Sequence, residues 1–499
     1  MAERKRIYLC LAHMSEDGME QKYVKEAFDT NWVVPLGPNV NGFEKDLEDF
    51  VNGSGFRVNG SGLMVQGSGI NHKPLTMNHE PISKRVVALS SGTAAVHLGL
   101  LNCGVGPGDE VIVQSFTFCA STHPVTYLGA TPVLVDSEPD TWNMDPELLE
   151  EAIKDRIAKT GKAPKAIVPV ALYGMPYQAD RIMEIANKYG IPVVEDAASG
   201  LGSKYKGQMV GTFGKYGVLS FNGNKMITTS GGGALITEDE DHWREIMMYA
   251  TQYRESYPYY QHEKIGYNYR MSNVCAGIGR GQMTVLADHL AHHKHVQKMY
   301  EELLNDVPGI HVHSQPTGTL GSDTNADVSD SAEGSDPSVP VYDSNYWLCT
   351  ITIDPEVKVK GQENAYKTIV TGAVGGAAGV IHAASSATTD CQPNDNVEAL
   401  RVALDKAQIE ARPLWKPMHC QPVYRRGEGH GEWLMVNGER LMVNGYEVEC
   451  LTYGNSVAYV NGVSEALFKV GMCLPAGPYV SDDDVRYIVE TIKENMNQL

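Results

Sequence analysis

Gly217-Val-Leu-Ser-Phe-Asn-Gly-Asn-Lys-Met-Ile-Thr-Thr-Ser-Gly-Gly-Gly233 is the stretch on which the reading of the whole chain turns. It opens as an apolar strand, Val218-Leu219-Ser220-Phe221, and breaks at Asn222-Gly223-Asn224, a turn signal. Lys225 follows at once. A β-branched run, Met226-Ile227-Thr228-Thr229, then leads through three glycines into a second strand, Ala234-Leu235-Ile236-Thr237. A lone turn lysine is ordinarily a solvated surface residue. Here turns and strands fence the lysine, Ser220 offers a hydroxyl just before it, and the glycines let a bulky group approach the backbone. A desolvated lysine is nucleophilic and condenses with aldehydes. Pyridoxal phosphate (PLP) is the usual aldehyde cofactor.

Bulk composition sets the limits. The 499 residues suffice for two or more domains. Apolar and charged contents of 42% and 20% are those of a soluble globular protein. No apolar run is long enough to span a membrane. The start, Met1-Ala-Glu-Arg-Lys-Arg-Ile-Tyr-Leu-Cys-Leu-Ala12, has too short an apolar run for a signal peptide; it reads as a first strand, and the protein as cytoplasmic. Nine scattered cysteines without a Cys-x-x-Cys pair argue for reduced thiols and against a disulfide framework or a zinc site, so no metal is expected. A net charge of −20 excludes nucleic acid as a partner, because like charges repel.

Residues 85 to 240 alternate strands with helices. Strand candidates are Val86–Ser90, Glu110–Gln114, Thr131–Asp136, Lys165–Leu172 and Ile191–Glu195; helices are expected near 93–103, 119–128, 146–159 and 177–189. That order implies a parallel sheet with ligands at the carboxyl ends of its strands. Helical stretches flank a Gly/Pro break in 20–51, and one long helical stretch is expected at 272–305. Strand patterns return at 341–366, a helix and a strand at 396–425, and a last helix at 481–497. Four segments read as insertions: about 52–84 and 427–458, with repeated Asn-Gly turns that predict hairpins, and the loop-like 316–340 and 370–395.

Five motifs carry chemistry. Ser90-Ser91-Gly92-Thr93 joins a strand to a helix; free N–H groups there suit a phosphate, or Ser91 is simply an N-cap. In Gln114-Ser-Phe-Thr-Phe118, Phe118 either stacks on a flat ring or fills the core. Val193-Val-Glu-Asp196 ends a buried strand in two acids on opposite faces. Asp196 can hold a protonated pyridine nitrogen or cap a helix, and Glu195 reads as structural. Arg270, in Gly266-Tyr-Asn-Tyr-Arg-Met-Ser272, is a carboxylate or phosphate clamp or a structural loop arginine, with Ser272 a plausible cap. Ala411-Arg-Pro-Leu-Trp-Lys-Pro-Met-His419 suits a nucleotide diphosphate and base, or packs domains together.

Taken together these motifs resemble the DegT/StrS-type PLP-dependent sugar-nucleotide aminotransferases. The resemblance rests on Ser91-Gly-Thr-Ala-Ala, Ser115-Phe-Thr-Phe, Glu195-Asp-Ala-Ala, Ser220-Phe-Asn-Gly-Asn-Lys with Thr229-Ser-Gly-Gly-Gly, Asn268-Tyr-Arg-Met and Asn31-Trp-Val-Val-Pro-Leu-Gly-Pro-Asn-Val. It covers about 5–51, 85–312 and 341–499. It implies an α/β protein of aspartate-aminotransferase (type I PLP) fold. Residues 1–270 would form a large, mostly parallel-sheet PLP-binding domain, and 271–499 a linking helix with a smaller C-terminal α+β domain.

The resemblance also implies roles. Lys225 would carry PLP covalently, Asp196 would pair with its ring nitrogen, and Phe118 would stack on the ring. Gly92, Thr93 and Ser220 would bind the phosphate, helped by Asn268 from the other subunit of a homodimer with shared sites. Ser199 sits where many relatives carry glutamine, near the ring hydroxyl. Arg270, Lys416 and His419 would bind substrate. Some relatives are dehydratases with histidine at the lysine position, and Lys225 argues against that branch. The implied reaction moves an amino group from L-glutamate to a nucleotide-linked 4-keto-6-deoxy sugar. Ser220-Phe-Asn-Gly-Asn-Lys and Lys416-Pro-Met-His suggest a UDP-linked N-acetylhexosamine, in bacterial surface glycan or amino-sugar biosynthesis. Two alternatives stand beside it: another type I PLP enzyme acting on amino acids, and a non-catalytic PLP- or nucleotide-sugar-binding regulator.

Overall fold

Short runs of valine, isoleucine and leucine bounded by glycine or proline have no polar face to give to water, so they form strands buried on both sides. Glu110–Gln114 and Thr131–Val135 are such strands, and each is buried after its first residue. The computed structural model describes residues 4–53, 83–319, 339–366, 391–425, 438–443, 446–453 and 456–496. The hairpins expected in the first insertion, and most of the segments read as 316–340 and 370–395, lie outside the described residues.

Two hydrogen-bonded groups of strands make one sheet. In the first, Gly438–Val443, Tyr446–Tyr453, Ser456–Val460, Thr131–Val135, Glu110–Gln114 and Ala166–Val168 lie side by side. In the second the order is Val194–Asp196, Tyr216–Ser220, Gly233–Thr237, Arg85–Leu89. Parallel bridges Ile167↔Val193 and Val170↔Asp196 join the two. From Ser456–Val460 to Tyr216–Ser220 neighbours run parallel, whereas Gly233–Thr237 runs antiparallel to both of its neighbours. The Asn-Gly hairpin expected within 427–458 is present as Gly438–Val443 against Tyr446–Tyr453. It extends the large sheet, because Ser456–Val460 pairs in parallel with Thr131–Val135.

Several expectations shift in detail. The N-terminal stretch read as a first strand makes only an isolated parallel bridge, Ile7↔Ile409, and the helix expected near 119–128 is a 3-10 turn, Cys119–Ser121, followed by a short helix, His123–Tyr127. The strand predicted over Lys165–Leu172 stops at Val168. Pro169 has no N–H to continue the ladder, and the chain then turns at Leu172–Gly174, with Tyr173 at φ 54°. The stretch 272–305 is two helices, Asn273–Met283 and Leu286–Leu304, parted at Thr284-Val285. A second, antiparallel sheet of Ile310–Val312, Cys349–Ile353, Gly471–Leu474 and Arg412–Pro413 packs beneath helices Leu286–Leu304, Asp395–Lys406 and Asp482–Asn495 around Ile351, Leu400, Met472 and Ile488.

Gly217 shows how tightly the centre is built. A Cβ there would fall 1.8 Å from the Gly211 carbonyl oxygen. That loop must lie close, because the N–H of Gly211 donates to Glu195 at 2.7 Å, alongside Phe213, Gly214 and the Tyr177 hydroxyl. Glu195 is thus a fully buried structural carboxylate facing away from the neighbouring Asp196 side chain, as alternation along a strand requires. Gly217→Ala is expected to destabilise the fold by about 3 kcal/mol, at the upper end for overpacking; urea unfolding measures it.

Candidate active site

The loop between strands Tyr216–Ser220 and Gly233–Thr237 is a clasped hairpin connection. Phe221 and Gly232 close its base (N–H to O 2.9 Å), Thr229 donates to Phe221 O at 2.9 Å, and Lys225 donates to Asn222 O at 3.0 Å. These bonds fix the backbone at Lys225 and send its side chain under the carboxyl ends of the parallel strands. Its Nζ donates to Ser199 Oγ at 2.9 Å and lies 3.8 Å from the centre of the Trp347 ring. Burial strips water from the amine and lowers its pKa from 10.5 to about 8, against the opposing pull of Asp196 and Cys10.

Asp196 ends its strand with both oxygens held. Oδ2 accepts from Ser121 Oγ at 2.6 Å and Oδ1 from Ala198 N at 3.0 Å. It caps a turn and also lines the cavity that Lys225 enters. Ser91 is an N-cap, accepting from Ala94 N at 3.0 Å, and Gly92 and Thr93 begin the helix that ends at Asn102. Their N–H groups lie in the first helical turn, which has no intrahelical acceptors for them. A Cβ on Gly92 would stand 3.0 Å from Ser220 Cβ and 3.3 Å from its Oγ, filling the cradle between helix and strand. Phe116 is the core phenylalanine, whereas Phe118 is 53% exposed in the cavity, 5.5 Å from Trp415.

The cavity holds about 830 Å³ and brings together Gly92, Thr93, Phe118, Asp196, Ser199, Ser220, Lys225 and Lys416. It leaves out the other three expected residues. Arg270 is buried, bonded to Glu44 at 2.5 Å and to Ala88 O at 3.0 Å. Its segment runs as an antiparallel bridge beside Leu89, which turns the guanidinium toward Glu44. His419 is buried with Nδ1 2.7 Å from Ser115 Oγ, pinning the loop to a strand end. Asn268 is exposed and outside the cavity of its own chain.

Sequence reasoning passed over Ser121 and Trp347. Ser121 holds Asp196. Trp347 covers the lysine and donates from Nε1 to Asn224 O at 2.6 Å. Buried Asn345 sets its place by donating to Ser199 O and Leu201 O, both at 2.9 Å, and accepting from Trp347 N at 2.8 Å. No local periodicity marks these residues; an isolated Asn-Tyr-Trp at the start of a strand was the one available signal.

The donor set fits PLP: helix N–H groups and hydroxyls at one end, an acid and an aromatic ring between, and a partly neutral amine at the other. This is the class of PLP enzymes with the type I fold. The chain belongs to the DegT/DnrJ/EryC1/StrS aminotransferase family, whose model matches residues 79–326. It is 35% identical over 488 residues, 98% of this chain and 95% of the other, to EpsN of Bacillus subtilis, named for pyridoxal phosphate-dependent aminotransferase activity. GDP-perosamine synthase of Caulobacter vibrioides is 38% identical over 58% of this chain and 68% of its own. A crystal structure of a DegT DnrJ EryC1 StrS aminotransferase from Brucella abortus superposes with TM-score 0.66 at 23% identity, over 96% of this chain and 95% of that one. The chain is thus a PLP-dependent sugar aminotransferase of nucleotide-sugar and polysaccharide biosynthesis. Among the described residues no helix is long and apolar enough to cross a membrane.

The lowered lysine pKa has a kinetic signature. Covalent PLP uptake needs the neutral amine, whose population falls about tenfold per pH unit below the pKa. The uptake rate of the apo-protein should rise with pH and level off near pH 8. Stopped-flow absorbance measures it. A rate still climbing steeply to about pH 10, as for a solvated lysine, contradicts the burial of this amine.

Proposed function

We propose that the enzyme takes an amino group from L-glutamate and places it on a nucleotide-linked 4-keto-6-deoxy sugar, with a UDP-linked N-acetylhexosamine as the favoured acceptor. The supporting observation is the pairing of a half-buried Lys225, its pKa lowered to about 8 by desolvation, with Asp196 inside a cavity whose wall carries Arg412, Lys416 and Trp415. Bound PLP supplies an electron sink for the carbon that gains or loses nitrogen. Asp196, held by Ser121 and Ala198, would pair with the ring nitrogen of bound PLP. Lys225 Nζ holds and moves the proton, and its pKa near 8 lets it give and take at working pH. Phe118 offers a flat face for a ring. Lys416 and Arg412, the latter paired with Glu410 at 2.6 Å, are local cations in a chain of net charge −20, which suits a diphosphate. Their sequence neighbours favour the UDP-sugar reading, while the similarity to a GDP-perosamine synthase keeps GDP in the test.

A homodimer with shared sites belongs to the same reading. Asn268 is exposed and absent from its own chain's cavity, so its amide is available to a second copy's phosphate end. The activity is expected in the cytoplasm, where nucleotide sugars are made.

Glutamate added to the PLP-loaded protein should convert its absorbance band, and a panel of GDP- and UDP-linked keto-sugars followed by mass detection should yield the amino sugar. Turnover of small amino acids alone, with no nucleotide sugar accepted, overturns the reading; no band conversion at all favours a binding protein. Lys225→Ala should lose roughly 10²–10⁴ in rate or more, the range for one acid–base group. Asp196→Asn should keep PLP yet lose most activity. Mixing Lys225→Ala with an inactive Asn268→Asp variant should recover roughly a quarter of the sites, since a symmetric dimer then holds one intact site in each mixed pair. No recovery would place Asn268 outside the partner's site.

A further inference from the structure

Behind the cavity wall lies a cluster that the transamination does not use. Cys391, Cys420 and Glu465 come from separate stretches, yet two Sγ atoms and one carboxylate oxygen all lie within 4.8 Å of one another. Both thiols are buried, with Phe468 packed against them. Cys420 Sγ is 3.7 Å from Glu465 Oε2. A tetrahedral zinc ion, at about 2.3 Å from sulfur and about 2.1 Å from oxygen, spaces such ligands about 3.6 Å apart. Lys469 Nζ occupies the other oxygen, Oε1, at 2.6 Å, which leaves Oε2 toward the thiols. Arg425 Nη2 stands 3.7 Å from Cys420 Sγ, and its Nε donates to His419 O at 2.8 Å. Outer N–H groups of this kind orient thiolate and carboxylate ligands.

We propose that Cys391 Sγ, Cys420 Sγ and Glu465 Oε2 form a three-ligand site for a thiophilic divalent cation, zinc being the ordinary case, with a fourth position for water. Binding releases both thiol protons to solvent. Two thiolates, a carboxylate and the divalent ion leave one surplus negative charge, which Arg425 and Lys469 face. The site reaches the active cavity through one bond: Lys416 Nζ donates to the Cys391 carbonyl at 2.9 Å, and Lys416 lines the cavity. An ion here ties the chain at 391 to the loop of Lys416 and His419, so it stiffens the cavity wall and takes no part in the chemistry. The absence of any Cys-x-x-Cys spacing hides such a site from sequence inspection.

The test titrates zinc ions into reduced, metal-stripped, PLP-loaded full-length protein against a chromophoric chelator. One equivalent should bind, and Cys391→Ser or Cys420→Ser should weaken it at least tenfold. Glu465→Gln, which leaves both thiols in place, should also weaken it and serves if the cysteine variants do not fold. Cys103→Ser, at a thiol in another part of the molecule, should bind as the parent does. Cobalt(II) should give a sulfur-to-metal charge-transfer band that either cysteine variant loses. The proposal is overturned by sub-stoichiometric zinc, by equal affinity in the three cluster variants, by a cobalt spectrum without that band, or by a Cys391–Cys420 disulfide mapped in the protein as purified.

Discussion

Burial of the Lys225 amine beside the Asp196 carboxylate is the interaction around which the active site is arranged. Desolvation lowers the lysine pKa; the carboxylate restores part of its proton affinity, and the balance falls near pH 8. Such a balance needs both groups immobile. Asp196 is immobile because Ser121 and Ala198 hold its oxygens and its backbone is bonded on both sides, to Pro169 O and from Ala171 N. Lys225 is immobile because its loop is pinned at Phe221, Asn222 and Gly232. A tethered amine and a fixed acid put the cost of organisation into folding rather than into each turnover.

The sheet supplies the common platform. Parallel strands all end at one edge, so a helix N-terminus after Leu89, an aromatic after Gln114 and an acid at Asp196 arrive on the same side of the sheet. Lys225 arrives there because Gly233–Thr237 returns antiparallel to Tyr216–Ser220. The C-terminal part then closes the cavity: Met418 N bonds to Ser115 O at 2.7 Å and Trp415 N to the Tyr173 hydroxyl at 2.8 Å. The smaller sheet contributes Arg412 and Cys473 to the wall, beside Leu9, Cys10 and Trp347 from outside it.

Charge distribution separates the cavity from the rest of the surface. An acidic chain repels anions in general, yet here a helix N-terminus and the side chains of Lys225, Arg412 and Lys416 gather at one cleft, where Arg412 is paired with Glu410 at 2.6 Å and Asp196 faces Lys225. Arg270, whose loop setting left a ligand clamp and a structural arginine both open, takes the structural part: it supports Glu44, which also accepts from Ala88 N at 2.8 Å and so steadies the strand leading to the phosphate cradle.

The residues themselves determined a good deal. Alternation of apolar strands with amphipathic helices fixed the α/β class. The turn at 222–224 pointed to Lys225 and strand alternation set Glu195 and Asp196 on opposite faces, while the roles of Gly92 and Asp196 at a cofactor came from the joint resemblance of the motifs to a known family. These are local signals, carried by spacing and turn chemistry within a few residues. Whether Phe118 or Phe116 enters the core, whether Arg270 faces a ligand or Glu44, and that Trp347 covers the lysine depend on contacts between segments far apart in the chain. The same holds for the pairing of Ser456–Val460 with Thr131–Val135 and for the meeting of Cys391 with Cys420. No periodicity records such contacts, because they follow from how layers pack and which groups lose water when they do.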